Sequence, residues 1–477
     1  MRRDGSTGPC ASGRRLPSRP GDRCRAAILP RLLRASAVLP RLLYTLALYL
    51  LTPLVMLRLA ARGVRYHDYF GRWRERFGFF DPPPVAGAMW VHAVSVGEVN
   101  AAVPLVEALL AQHPERPLLL TTVTPTGSAR VRQLFGARVL HVYLPYDLPG
   151  AVRRFLARVR PCLGVIVETE IWPNLYAACA RARVPIVIAN ARLSQRSMRG
   201  YWPGRTLIRT ALRSVAHVAA QTRADAQRYG ELGVPAARIS VVGNLKYDMP
   251  PPLAAQRAGA AMRRHWGCAR PVWVAASTHE PEELAVLQAH RAVMRRMPDA
   301  LLLIAPRHPE RFRPVEQAAR SLGFVVATRQ SDRLPELSTQ CFVIDTLGEL
   351  LDFYAAAEVA FVAGSLAPIG GHNVLEPAAL AVPVLVGPYT FNFEEITDAL
   401  LAAGAARRIA DIAGLAPALL DWLADPPARE QAGMAGMRVI AQGRGALAAT
   451  LAPIEQLLRK GRCGDAVRMP PVTSATR

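Results

Sequence analysis

Lysine is almost missing from this chain. Of 59 lysine and arginine residues only Lys246 and Lys460 are lysine, which leaves 57 arginines. Paired cysteines are missing too: the seven cysteines are scattered, with no CxxC among them. An odd, scattered set in a 477-residue chain excludes a disulfide framework and a structural zinc site, and fits a reducing compartment. No GxGxxG follows a first strand and no GxxxxGK[ST] occurs. Both absences argue against nicotinamide-dinucleotide and P-loop chemistry. There is no Asp-x-Asp, the usual clamp for a metal-bound diphosphate.

What remains is strongly basic. The formal net charge is +23, and 51% of residues are hydrophobic. An arginine-rich, alanine-rich, lysine-poor composition points to a GC-rich genome, so part of the charge is codon bias. The excess still favours anionic partners: nucleic acid, a membrane surface or phosphorylated substrates.

The N-terminus has two layers. Residues 1–38 carry nine arginines against two aspartates among Ser, Pro and Gly, and read as a disordered basic extension or an upstream mis-start. Next comes Leu42–Leu57, sixteen residues without a charge, flanked by Arg41 and Arg58. A full membrane span needs about 20 residues. The basic, aromatic segment that follows opposes translocation and cleavage as a signal peptide. Residues 39–62 are therefore expected to form an uncleaved anchor helix, crossing the bilayer or lying in its interface.

From Met89 onward short β-branched runs alternate with amphipathic helical stretches: "AMWVHAV", "PLLLTTVT", "CLGVIVETE", "VPIVIANAR". Such runs read as parallel strands covered on both faces. Three prolines at 250–252 suggest a linker over 249–262, after which the alternation restarts with "PVWVAAST" and "ALLLIAPRH". The expected fold is α/β: two tandem doubly wound, Rossmann-like domains, 63–248 and 263–460, behind the N-terminal helix, with a disordered tail at 461–477. Ligands of such sheets bind outside the carboxyl ends of the strands. By analogy of fold, a tandem pair without the absent motifs suggests the two-domain, metal-independent glycosyltransferase (GT-B) architecture.

The unusual polar residues fall at those strand ends. Ser95-Val-Gly97-Glu98 opens a helix and matches a capping box. Glu98 is thus either a cap or a reactive carboxylate. Glu168 and Glu170 follow the apolar "GVIV", where carboxylates are costly unless solvated or paired. Either they serve a helix N-terminus or they join Glu98 in a site. Asn190, Arg192, Ser194 and Arg196 make a solvated loop or an anion cradle. Lys246 offers a compact point charge at another strand exit. In the second half Ser277 or Thr278 caps a helix or meets an anion. Arg307 and His308 follow "LLLI", and Gly370-Gly371-His372-Asn373 leads to a helix with Glu376 in its first turns. A glycine loop at a helix start lets backbone N–H groups approach an anion, and Glu376 is placed to take ribose hydroxyls.

Together these segments resemble the Kdo (3-deoxy-D-manno-octulosonic acid) transferases. The resemblance runs from about residue 40 to about 460. It comprises "RLLYTLALYLLTPL", "HAVSVGE", "ETEIWPNL", "NARLSQRS", "GNLKYD", "PRHPERF" and "GGHNVLEPAAL", in order. Pro281 stands where that family usually has glycine, and residues 1–38 have no counterpart. The resemblance implies an inverting enzyme that moves Kdo from CMP-Kdo to a glucosamine hydroxyl of the lipid A precursor, lipid IVA, in lipopolysaccharide synthesis. It implies no metal cofactor, and a cytoplasmic-face location at the inner membrane held by a single N-terminal anchor. Glu98 becomes the general base, and Glu168 and Lys246 transition-state stabilisers. Donor contacts fall on Pro306, Arg307 and His308, on Leu347, Gly348 and Glu349, and on Gly370, Gly371, His372, Asn373, Val374, Leu375 and Glu376. Ser95, Gly97, Glu170, Asn190, Arg192, Ser194 and Arg196 remain for acceptor or anion. On this reading 63–248 binds acceptor, 263–460 binds donor, and Glu98 points into a cleft between them rather than back at residue 95.

Two other readings stay open. One is a different two-domain transferase, such as a heptosyltransferase. The other is a non-catalytic, membrane-tethered nucleotide or anion binder. Nucleic-acid binding accounts for the charge but not for acidic residues at the strand ends, so no nucleic-acid partner is expected.

Overall fold

The computed structural model describes residues 20–460 apart from 66, 82–85, 250–251 and 332–333, with 20–38, 65, 67 and 68 as backbone only. The expected disordered stretches 1–19 and 461–477 lie outside the described residues. Pro20–Arg65 forms one helix, so helix begins well before residue 39. The expectation of disorder is corrected from residue 20 onward. Ala26, Ala27, Leu29, Leu32, Leu33 and Ala35 are strong helix formers that the arginine-rich composition obscured.

The chain folds as two compact units. Unit 1 holds the chain up to Ala102, Leu109–Val241 and the chain from Ala452; unit 2 holds Val103–Ala108 and Val242–Leu451. Unit 2 begins at Val242 and so takes in Lys246, which the sequence boundary at 248 had left in the first domain. The expected linker 249–262 is largely a helix, Leu253–Trp266. Pro252 is its N-cap, a place ahead of the first turn where proline is tolerated. Its Gly259 lies against Ala355, where an added Cβ would sit 2.5 Å from a backbone carbon.

Unit 1 carries seven parallel strands: β1 Met89–His92, β2 Leu118–Thr122, β3 Leu140–Tyr143, β4 Leu163–Val167, β5 Ile186–Ala191, β6 His217–Ala220 and β7 Ile239–Val241. Their order is β3-β2-β1-β4-β5-β6-β7. β1, β2, β4 and β5 are buried at every position, as sheets covered on both faces require. Gly164 on β4 makes room for Trp90 of β1, whose ring lies 2.9 Å from where a Cβ would be. The Trp90 indole N–H donates to Thr121 Oγ1 at 2.8 Å.

Unit 2 repeats the plan with β8 Val272–Thr278, β9 Leu301–Pro306, β10 Val326–Thr328, β11 Cys341–Val343, β12 Val359–Val362, β13 Val384–Val386 and β14 Ala406–Arg408. The order is β10-β11-β9-β8-β12-β13-β14, again parallel. In each sheet chain order reverses at the first strand, between β1 and β4 and between β8 and β12. A doubly wound sheet opens its ligand crevice at that switch point, at the carboxyl ends.

Candidate functional site

In unit 1 the switch point is acidic. β1 ends at His92, and Ser95 becomes the N-cap of the helix Val96–Gln112. Glu98, three residues on, does not extend away from that turn. Its Oε2 accepts the Val94 N–H at 2.7 Å, and its Oε1 accepts the Ser95 hydroxyl at 3.3 Å. The expectation that Glu98 points away from residue 95 is thereby corrected. Ser95 takes no helix N–H with its side chain, so the carboxylate closes the turn on behalf of Val94. Each carboxylate oxygen has a second acceptor site, so closing the turn leaves Glu98 able to take a proton.

β4 delivers the other two carboxylates. Glu168 extends the ladder, donating its N–H to Ala189 O at 2.9 Å, but at φ 62°. A non-glycine residue held there costs about 1 kcal/mol or more, and such strain concentrates at functional sites. Glu170 accepts the Trp172 indole N–H at 2.9 Å through Oε2, and its carbonyl accepts the Tyr176 hydroxyl at 2.7 Å. The three carboxylates act on one another. Burial, aided by Glu170 and then Glu168, holds the Glu98 carboxyl up at about 8 against the pull of the Val94 N–H. Burial, aided by Glu168, holds Glu170 up at about 7. Both folded values exceed the ordinary 4.5. Their contribution to stability is therefore fully present below about pH 4.5 and lost as pH rises through 7 to 8. Glu170→Gln should flatten that decline by on the order of 2 kcal/mol between pH 5 and 9, allowing for the solvent contact that remains. Urea melts at both pH values measure it.

The remaining unit 1 candidates divide. Asn190 is buried at φ 51°, beside a register shift in β5, and its carbonyl accepts the Gln221 amide at 2.9 Å. Ser194 caps the helix Gln195–Tyr201, accepting the Ser197 N–H at 3.0 Å. Arg192 and Arg196 are exposed, as is Gly97. Asp225 and Arg228 pin this loop from below, through the Leu193 N–H at 2.8 Å and the Leu193 carbonyl at 2.8 Å.

In unit 2 the switch point is imidazole-rich and cationic. His279 follows β8, His308 follows β9 and His372 follows the glycine loop. His279 Nε2 lies 2.9 Å from His372 Nε2, with the rings nearly parallel, and His308 meets His279 edge-on at 5.4 Å. Burial lowers both His279 and His372, the latter to about 4; Glu282 opposes this at His279, His308 and Arg307 add to it at both, and His279 adds to it at His372. One imidazole of the pair therefore donates and the other accepts. Arg307 is exposed at the end of β9, and its N–H donates to Thr278 O at 2.9 Å. Ser277 sits at φ 58° where β8 loses register with β9.

The glycine loop is held from beneath. Glu282, 1% exposed, accepts the N–H groups of Gly364 at 2.7 Å, Leu366 at 2.8 Å and Ala367 at 3.3 Å. Gly370 and Gly371, at φ 107° and 76°, return their N–H groups to Gly364 O. A Cβ on Gly370 would come within 2.4 Å of Phe391. Asn373 accepts the Leu375 N–H at 3.1 Å and donates to Glu376 Oε1 at 3.0 Å. The helix it opens, Leu375–Ala379, is one short turn and a half. Val374 and Leu375 are core side chains and reach a ligand only through backbone. Leu347 is exposed and Gly348 adopts φ 96°. Glu349 is paired with Arg329 at 2.9 Å, and this pairing lowers its carboxyl below the usual range. Lys246 places its ammonium 5.2 Å from the Phe393 ring centroid, two residues beyond Phe391.

The sequence reading missed His279 and Glu282. Both lie in "STHEPEE", a stretch read for its caps. A histidine directly after a strand end, matching His308, was the available signal for the first.

Residues 71–249 match the family model described as 3-deoxy-D-manno-octulosonic-acid transferase (kdotransferase). A 3-deoxy-D-manno-octulosonic acid transferase of Haemophilus influenzae is 40% identical over 412 residues, covering 85% of this chain and 96% of that protein. One from Bordetella pertussis is 42% identical over 436 residues, covering 87% and 99%. The chain belongs to the 3-deoxy-D-manno-octulosonic acid transferase family. It is a glycosyltransferase, and the glutamate and histidine clusters lie in a transferase of that class. Among solved structures, a UDP-GlcNAc 2-epimerase of Neisseria meningitidis bound to UDP-GlcNAc covers 78% of this transferase and all of its own chain. At 13% identity and a TM-score of 0.50 it speaks for the fold alone.

Proposed function

We propose that this enzyme transfers Kdo from CMP-Kdo to a glucosamine hydroxyl of the lipid A precursor, with inversion and without a metal ion, at the cytoplasmic face of the inner membrane. The observation that carries this reading is the contrast between the two switch points. Unit 1 offers a carboxylate held near neutrality, suited to accept a hydroxyl proton. Unit 2 offers Arg307 and three imidazoles at the strand ends, suited to a phosphate that gains charge as it leaves. Glu98 is the base; Glu168 and Lys246 stabilise developing charge; Arg307 and the histidines hold the CMP phosphate, with Asn373 and Glu376 beside them. The family membership supports the sugar, and the lipid acceptor agrees with the apolar N-terminal helix.

Purified protein given CMP-Kdo and tetraacylated lipid A precursor should release CMP and add Kdo, read by mass spectrometry of the lipid. A folded protein that uses ADP- or UDP-sugars instead, or transfers nothing, overturns the reading. Arg307→Ala should weaken CMP binding by at least tenfold, since a charge-assisted hydrogen bond is worth about 1.5–3 kcal/mol. Isothermal titration with CMP checks it.

A further inference from the structure

The N-terminal helix is apolar enough to cross a membrane over Leu39–Val64, yet its side chains are not equivalent. Pro40, Arg41, Tyr44, Thr45, Leu48, Thr52, Met56, Leu59 and Ala60 are half-buried and Gly63 is buried, while the other positions are exposed. The covered positions recur at spacings of three and four, which is one stripe along a helix. Unit 1 meets that stripe at both ends. The Tyr44 hydroxyl donates to Asp147 Oδ2 at 3.1 Å, and Thr45 exchanges hydrogen bonds with the Asn174 side chain at 3.0 and 3.2 Å. Gly63 receives the Phe70 ring, 2.7 Å from where its Cβ would be. The helix also packs on Pro173–Arg181 and on Arg205–Leu212.

From Tyr44 to Gly63 the helix rises about 28 Å. The hydrocarbon core of a bilayer is about 30 Å thick. A helix crossing it would carry Asp147, Asn174 and the body beside them into hydrocarbon along nearly its whole length. The opposite stripe tells what covers it. Leu42, Leu43, Leu46, Leu50, Leu54 and Leu57 are each more than half exposed. No acidic residue occurs between Asp22 and Asp68, while Arg58 and Arg62 are exposed on the same helix. A leucine face with arginines and no carboxylate complements an anionic phospholipid surface.

We propose that this helix does not span the membrane but lies lengthwise on it, clamped to unit 1 along one stripe and sunk into an anionic leaflet by the other. The inference rests on the reading that the enzyme works at a membrane, not on which sugar it transfers. In vesicles of phosphatidylglycerol and phosphatidylethanolamine, nitroxide labels at Leu43→Cys, Leu50→Cys and Leu57→Cys should report one shallow depth. A protease site inserted ahead of Leu39 should be cut from the face that carries the catalytic body. Leu46→Glu with Leu50→Glu and Leu54→Glu should lower vesicle binding at least tenfold, with CMP binding unchanged. A depth maximum at residue 50, or cleavage only from the opposite face, overturns the proposal. So does wild-type protein that stays off anionic vesicles. Kdo transfer to detergent-dispersed acceptor, assayed in parallel, tells such a failure from failure of the functional reading.

Discussion

Glu98→Gln should lower Kdo transfer about 1,000-fold, the middle of the range for a general base, and leave CMP affinity within twofold. Glutamine keeps the size of the side chain, and its carbonyl oxygen still accepts the Val94 N–H that Glu98 holds at 2.7 Å. The turn therefore survives and only the proton acceptor is lost. The working form of a base is deprotonated. With the carboxyl held at about 8, the wild-type rate should climb as pH rises through 8, and that limb should vanish in the variant. Glu170→Gln removes a negative neighbour that raises Glu98, so it should move the limb to lower pH. Steady-state rates from pH 6 to 9.5 on the three proteins make the measurement. Turnover within tenfold of wild type would leave Glu98 a helix cap and nothing more.

Glu282→Ala should be the most damaging single change in unit 2. The buried carboxylate satisfies three backbone N–H groups of the loop that precedes the glycines. An unsatisfied buried donor costs about 1–3 kcal/mol, and the three share one acceptor, so a loss of about 3–5 kcal/mol is expected. That should lower the melting temperature of unit 2 by roughly 10 °C and abolish the thermal shift given by CMP. Glu282→Gln retains one acceptor oxygen and should recover part of both. Glu283→Ala is the control. Its carboxylate faces Arg311 at 2.6 Å, on the flank of the same helix, and its loss should cost stability without erasing the CMP shift. A CMP response in Glu282→Ala equal to wild type would remove the loop from donor binding.

Much of the fold was legible because its strands are buried on both faces. "GVIV" and "LLLI" admit few other readings, and the carboxyl end of each follows directly. That placed Glu168, Glu170, Arg307 and His308 at strand exits before any contact was known. What stayed hidden depended on partners distant in the chain. Glu282 reads as helix-start acidity in "THEPEE"; its loop partners are more than 80 residues away. Tyr44 reads as one more apolar-helix aromatic, while Asp147 lies 103 residues on. The helix Leu253–Trp266 was masked by its own prolines, which signal a break as readily as a start. Glu98 was ambiguous for a different reason. Capping and proton transfer ask for the same residue at the same place, and four letters could not say that a carboxylate closing the turn keeps acceptor sites to spare.

Three positive-φ side chains, Glu168, Asn190 and Ser277, stand at or within two residues of the carboxyl ends of three different strands. Glycine is the residue that backbone geometry there would choose. Each is thus a place where the enzyme is held short of its own thermal optimum. Selection for heat resistance alone, with transfer left unscreened, should collect Glu168→Gly and Ser277→Gly early. The Glu168→Gly proteins would be sturdier and inert, so a thermostability campaign on this enzyme needs that codon frozen from the start.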